Sequence, residues 1–375
     1  MGTGGSLKNT NVAFLWRDSD SVRRFHSAVC LHGHTMHSEE CLDFLPRYLK
    51  YVPGVAQAVS GYQRSGSVNF ARAHWTPPLT PARALQLEQE QIAGFGLRPM
   101  VSLTDHDSIA APIALQLTAG CAEVPVSVEW TVPYQRAILH LGIHNLPPAD
   151  ARNWMSIMTA YTSAPDETRL PAILAELAAN RDVLIVLNHP FWLEEGVGEA
   201  DRRSAVERLL RECVECLHAF ELNGTRKWHE NAATIELART YSRPAISGGD
   251  RHGCEPAACL NLTNANSFGE FAREIRAGHS RVLFLPHYRE PMALRILETT
   301  WEILRPYPEY RGRERWTDRV FYRREDGVAQ SLSTIWKDRV PWMVGPVTGM
   351  LQFCAMRGLR PTLRFLLSNR AELLP

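Results

Sequence analysis

The chain has 375 residues, 45% hydrophobic and 22% charged, with 41 basic side chains against 40 acidic ones and a net charge of +1. A balance this even excludes a global field that would draw in polymeric nucleic acid or an anionic membrane surface, so any phosphate recognition has to be local. The length accommodates one barrel-sized domain of roughly 250 to 300 residues plus an appendage, or two domains, and with no run of 18 apolar residues a membrane-spanning helix is excluded.

Eight cysteines (Cys30, Cys41, Cys121, Cys213, Cys216, Cys254, Cys259 and Cys354) in so long a chain predict reduced thiols in a cytoplasmic protein rather than a disulfide framework. Cys213 and Cys216 have the spacing of a redox or zinc pair. They lie in a helical pattern with no second pair nearby, and are read as buried helical residues. The start, Met1 to Ser6, fits an N-myristoylation pattern by letter but lacks a polybasic stretch, so residues 1–24 are read as a leader.

In chain order, strands are predicted over 11–16 and 27–31, the second running into Leu31-His32-Gly33-His34-Thr35-Met36-His37-Ser38-Glu39. A period of two places His32 and His34 on one face and Gly33 on the other, which makes a pair of imidazoles at a strand end, suited to a metal ion. Residues 40–97, with Pro46, Pro53, Thr76-Pro77-Pro78 and a helix from Pro81, read as an insertion that covers a site as a lid or specificity loop. His74 within it has no spacing partner and is read as a surface residue.

The buried strand 99–104 then delivers Asp105-His106-Asp107. Further strands over 124–129, 137–144, 182–187, 219–223 and 244–247 deliver Glu129, His140, Asn188-His189-Pro190, Asn223 and Gly248-Gly249-Asp250-Arg251-His252. Helical patterns at 108–117, 170–180, 199–216, 228–241 and 268–277 separate most of them. This alternation, with polar residues where strands stop, is the pattern of a parallel α/β barrel. A doubly wound sheet would carry a glycine-rich phosphate turn, and the sequence has none. From 291 to 375 the character changes. Residues 301–325 are dense in Arg, Trp, Tyr and Pro, and the region reads as a mostly helical extension with a polar face packed on the barrel.

The strand ends together offer His32, His34, Glu39, His106, Glu129, His140, His189, Asp250 and His252. Nitrogen and carboxylate donors without thiolates suit Zn, Mn or Fe, and the set is too large for one four-coordinate ion, which implies a multinuclear site.

The order of these motifs resembles the PHP (polymerase and histidinol phosphatase) family. Its motif His-x-His-Thr-x-x-Ser-Asp appears as His32 to Glu39, Thr-Asp-His-Asp stands unaltered at Thr104 to Asp107, and Asn-His-Pro at Asn188 to Pro190. Gly-Ser-Asp-Ala-His appears as Gly248 to His252. The resemblance covers roughly residues 25 to 290. It implies a distorted seven-stranded (β/α) barrel with two or three divalent ions at the strand C-terminal ends. It also implies His32, His34 and Asp250 on the first ion, Glu129 bridging to a second held by His140 and His189, and Glu39, His106 and His252 on a third. Three positions depart from the family: Glu39 for aspartate, Gly249 for serine and Arg251 for a small residue. His37 and His144 are extra histidines beside the ligands.

The implied activity is hydrolysis of a small phosphomonoester or a nucleotide-like phosphodiester by a metal-activated hydroxide, with Glu129, Asp250 and His189 in catalytic positions. Asp105 and Asp107 are read as orienting ligands, or Asp107 as a helix cap. Arg226, Lys227 and Arg251, which follow strand ends, are the candidate phosphate-binding cations. Two other readings fit the same residues: a metal-assisted hydrolase of another ester or an amide, and a non-catalytic metal-stabilised binding module.

Overall fold

A computed structural model describes residues 11–42, 69–194, 196–337, 344–354 and 357–367. Part of the predicted leader and residues 43–68 of the predicted insertion lie outside the described residues. The strands are β1 (Asn11–Phe14), β2 (Ser27–Leu31), β3 (Glu40–Cys41), β4 (Ala73–Trp75), β5 (Arg98–Ser102), β6 (Val126–Tyr134) and β7 (Ala137–Leu146). They continue with β8 (Leu184–Asn188), β9 (Ala219–Asn223), β10 (Ala245–Gly248), β11 (Cys259–Thr263), β12 (Arg281–Phe284), β13 (Val320–Arg323) and β14 (Ala329–Ser331). The main helices are α1 (Pro81–Gly94), α2 (Ala110–Gln116), α3 (Ala151–Ser163), α4 (Leu170–Ala179), α5 (Glu199–Cys213), α6 (Trp228–Thr240), α7 (Phe268–Arg276) and α8 (Met292–Leu304). Among the described residues no helix is long and apolar enough to cross a membrane.

One sheet runs β1-β12-β11-β2-β5 and a second β10-β9-β8-β7-β6. Strands β2, β8, β9, β10 and β11 are buried along their whole length, so none of them has a solvent-facing side to mark with alternating polar residues. Val29 and Leu31 of the first sheet meet Leu184, Val186, Ala219 and Ile246 of the second in one core cluster. Helix α7 closes that cluster with Phe268, Phe271, Ala272 and Ile275. Its start is set by Ser267, whose side chain accepts the Glu270 N–H. Helix α1 starts in the same manner, with Thr80 capping Arg83 N–H and Pro81 in the first turn.

The expected closed ring of parallel strands is not what the described residues form. The pairs β1/β12, β2/β5, β8/β9 and β9/β10 are parallel. The pairs β6/β7, β7/β8, β11/β12 and β11/β2 are antiparallel. Strands β6 and β7 are joined by the tight turn Gln135-Arg136, with Gln135 at φ 55°, so the chain reverses there instead of crossing over through a helix. The two sheets touch through isolated bridges, Gly33 with Arg251 and His106 with Glu129. Both bridges lie where the predicted ligands collect.

Among the described residues the C-terminal stretch is mostly helix, with segments at Met292–Leu304, Trp316–Arg319, Leu332–Trp336, Val344–Cys354 and Arg360–Leu367, and it adds the two short strands β13 and β14. A third sheet runs β14-β13-β4-β3 and brings Phe321 opposite His74. His74 is accordingly buried and stacked on Phe321, with ring centroids 5.3 Å apart, rather than lying on the surface as expected. Cys213 and Cys216 are free thiols at the end of α5 and the turn after it.

Candidate metal centre

Strand β2 ends at Leu31 because His32 takes φ 62°, and the same left-handed turn recurs at Asp107 (φ 50°), His189 (φ 25°) and Asp250 (φ 47°). Such backbone costs a non-glycine residue about 1–3 kcal/mol, and it persists only where the surroundings over-determine it. These turns carry ligands or their neighbours toward one point between the sheets. His32 and His34 thus converge through a turn rather than through strand alternation, their ring centroids 5.1 Å apart.

The point of convergence is Glu129, fully buried in the middle of β6 rather than at a strand end. Its Oε2 lies 2.8 Å from His32 Nε2 and 3.4 Å from both His34 Nε2 and His106 Nε2. Its Oε1 lies 3.1 Å from His189 Nε2 and 3.6 Å from His140 Nδ1, and accepts a hydrogen bond from Asn188 Nδ2 at 2.9 Å. Asp250 Oδ1 stands 3.7 Å from His32 Nε2 and 3.6 Å from His34 Nε2.

The third expected cluster forms around Glu40, not Glu39. Glu40 lies 3.2 Å from His252, 3.5 Å from His106 and 3.5 Å from His34, and is buried. Ser38 fixes it: its hydroxyl donates to Glu40 Oε1 at 2.6 Å while accepting the His106 N–H at 3.0 Å. Glu39, one residue earlier, points the other way into solvent and pairs with Arg323 of β13 at 2.9 Å. The structure therefore brings Glu40, and not the expected Glu39, to the donor cluster.

Three donor atoms come within 4.8 Å of one another in each of several overlapping sets. These are His32, His34 and Glu129; His106, Glu129 and His140; His34, Glu40 and His106; His34, Asp250 and His252; and His32, His189 and Glu221. His34 Nε2, His140 Nδ1 and His189 Nδ1 are buried without a hydrogen-bond partner. Buried imidazole nitrogens left unpaired beside carboxylates fit a cation, because a cation is the partner that would satisfy them. The donor set thus fits divalent ions.

Protonation divides the cluster into charged and neutral groups. Burial alone would raise Glu129, but His32, His106 and His140 outweigh it and hold its carboxyl well below the ordinary range. Burial also opposes ionisation of Asp250, and His32 with its neighbours overcomes it in the same way. Burial, aided by His252, lowers His34 to about 4, and burial holds His140 well below its usual value. Against burial, the carboxylates that face them raise His32, His106 and His252, the last to about 9, so these imidazoles hold protons that a metal ion would have to displace.

Supporting residues surround these donors. Glu221, in the middle of β9, lies 2.5 Å from His32 Nδ1 and accepts the His189 N–H at 2.9 Å. It orients His32 so that Nε2 faces Glu129. Sequence reasoning passed over Glu221; a carboxylate inside an otherwise apolar, fully covered strand was the available signal. Asp105 accepts from the Thr35 N–H and hydroxyl, tying the first motif to the second; burial outweighs these bonds and raises its carboxyl to about 6. Asp107 accepts the Thr131 N–H at 2.9 Å, and α2 has no side-chain cap, so Asp107 ties β6 to the second motif and caps nothing.

A Cβ at Gly249 would meet Ala257 Cβ at 2.8 Å, so the packing there calls for glycine. His37 is exposed, and His144 is buried 2.8 Å from Ser102, so neither joins the cluster.

Of the three cations, Arg226 is at the site. Its guanidinium donates to Asp250 Oδ2 at 3.2 Å and lies 5.5 Å from the Trp192 ring centroid, and its Nε is buried without a partner. Trp192 in turn stacks on His140. His189, Trp192, Asn223 and Arg226 help line a cavity of about 10 Å³, room for about one water molecule. Lys227 follows as the exposed residue before α6 and does not line that cavity.

Arg251 is corrected as a substrate ligand. It is buried, donates to Glu88 Oε1 at 2.8 Å and to the Gly253 carbonyl, and its own carbonyl accepts the His34 N–H. Its charge is neutralised behind the site.

The chain is similar in part to several solved structures. Against PsfC from Pseudomonas syringae the identity is 14%, covering 70% of this chain and 93% of that one, with a TM-score of 0.41. Against a protein from Bifidobacterium adolescentis assigned as a metal-dependent phosphoesterase, identity is 14%, coverage 54% and 92%, and TM-score 0.33. Against an amidohydrolase from Chromobacterium violaceum with bound sulfate, identity is 15%, coverage 60% and 87%, and TM-score 0.33. No protein-family model and no curated protein sequence matches the chain.

Proposed function

We propose that the chain is a metal-dependent phosphoesterase of PHP type, its two sheets corresponding to that family's distorted barrel. The observation that carries the reading is the buried Glu129 carboxylate shared by His32, His34, His106, His140 and His189, with the Arg226 guanidinium on the neighbouring Asp250 carboxylate. His32, His34 and Asp250 would hold one ion, His140 and His189 a second with Glu129 between them, and Glu40, His106 and His252 a third. When bound, such ions activate water at neutral pH and neutralise charge on phosphoryl oxygens.

The protein's own groups supply the rest. Glu221 holds His32 so that Nε2 faces Glu129, and Asn188 fixes Glu129 from the other side. Arg226, with Nε lacking a partner, offers a planar donor to a phosphoryl oxygen, and Trp192 walls the site beside it. The substrate class is a small phosphomonoester or nucleotide-like diester.

The test is turnover of a chromogenic phosphomonoester, phosphodiester and anilide by protein reconstituted with Zn²⁺ or Mn²⁺, for wild type and His189→Ala. Phosphoester hydrolysis lost in the variant supports the proposal. Anilide turnover alone would transfer the site to amide chemistry, and tight metal binding with no turnover would make it a binding module.

A further inference from the structure

We propose that Arg202 is the positioning residue for the His189 side of the centre, an inference that rests on the metal-site reading above. Arg202 sits in α5, outside every recognised motif, and is 2% exposed. Its Nε donates to the Pro190 carbonyl at 3.0 Å and one Nη to the His189 carbonyl at 3.3 Å. The other Nη donates to the Ile138 carbonyl and to Glu194 Oε1, the latter at 2.9 Å, and Glu194 Oε1 also accepts the Ile138 N–H at 2.9 Å.

One planar guanidinium therefore clamps the turn that carries His189 to the start of β7, two residues ahead of His140. Both residues expected on the second ion are fixed against one rigid group. His189 is held from both sides, its N–H by Glu221 and its carbonyl by Arg202, in a left-handed conformation that needs such support.

A purely structural role explains less. Burying a guanidinium carries a desolvation cost that pairing has to offset, and an apolar side chain of similar volume often serves stability as well or better. The fork geometry is what an apolar residue or a lysine cannot reproduce: three carbonyls on two chain segments and a carboxylate, all in one plane's reach.

The experiment uses the full chain with Arg202→Lys, and with the double substitution Arg202→Met with Glu194→Leu, which removes the buried pair without stranding a charge. Folding is followed by circular dichroism, and Co²⁺ binding by competition with a chromophoric chelator and by the visible ligand-field bands. The expected result is a folded variant in which at least one Co²⁺ binds 10–100-fold more weakly with altered bands, as for other residues that orient ligands. A folded variant with wild-type affinity and spectrum would overturn the proposal, and so would loss of the fold in both, which would make Arg202 a core residue only. Wild-type protein that binds no Co²⁺ would remove the metal-site reading itself, whereas normal wild-type binding with an unaffected folded variant removes only the role of Arg202.

Discussion

Gly248→Ala offers a stringent probe of the packing behind the centre. A Cβ at Gly248 would overlap Glu221 Oε1 and Cδ and would approach Glu221 Cγ to 2.8 Å, roughly 1 Å inside the optimal carbon–carbon separation. Gly248 ends β10 directly opposite Asn223, with Glu221 opposite Ile246, so the clash is built into the sheet register. Glu221 has to swing away, giving up His32 Nδ1, the His189 N–H and Asn223 Nδ2. Hydrogen bonds to a charged group contribute about 1.5–3 kcal/mol each, and overpacking adds about 1–3 kcal/mol. The expected loss is at least about 3 kcal/mol in urea unfolding, by these same magnitudes. In a Glu221→Ala background the obstruction is gone, and Gly248→Ala should cost under about 1 kcal/mol, a coupling typical of residues in contact. Wild-type stability of Gly248→Ala, or additive effects in the double variant, would refute the reasoning.

Further predictions concern the ligands, the cation and pH. Glu40→Ala should lower the metal stoichiometry measured by elemental analysis, while Glu39→Ala leaves it unchanged and costs about 0–1 kcal/mol, as for an exposed pair; the reverse pattern would restore Glu39 as the ligand. If the phosphoesterase proposal holds, Arg226→Met should raise KM for a phosphomonoester about 10-fold or more, in line with a charge-assisted bond of about 1.5–3 kcal/mol, and an unchanged KM would remove Arg226 from substrate binding. His218 is buried, accepts the Ile185 N–H at 2.9 Å, and is lowered to about 3 by burial, with Arg276 and Arg243 adding to the effect. Its unfolded form takes up a proton near pH 6.5, so its stabilisation is complete above that pH and declines as pH falls toward 3. Its share of the loss is about 1.4 kcal/mol per pH unit within that window; His218→Asn should flatten the urea-stability profile between pH 6.5 and 5, and an identical slope would contradict the assignment.

Much of the candidate centre was legible because its donor residues cluster at chain turns that interrupt apolar strands. His32, His34, His106, His189, Asp250 and His252 stand out in short motifs for that reason. Glu39 and Glu40 were not separable, since which of two adjacent carboxylates faces inward is decided by the Ser38 hydroxyl and by Arg323, far away in sequence. Arg251 looked like a cation at the mouth because its partner, Glu88, belongs to a helix distant along the chain. The all-parallel pairing expected of the strands gives way at β6/β7, where a two-residue turn makes an antiparallel pair that the apolar runs alone did not disclose. Strands β13 and β14 were hidden in an Arg- and Tyr-rich stretch whose pairing partner, β4, is equally short.

The central claim, that Glu129 is shared between bound ions, is tested most directly by a crystal structure of Mn²⁺-soaked protein with anomalous differences measured near the manganese edge. The account predicts at least two anomalous peaks flanking the Glu129 carboxylate, one beside His32, His34 and Asp250 and another beside His140 and His189. No peak in contact with Glu129 would contradict it, as would a single ion that leaves His140 and His189 without a metal.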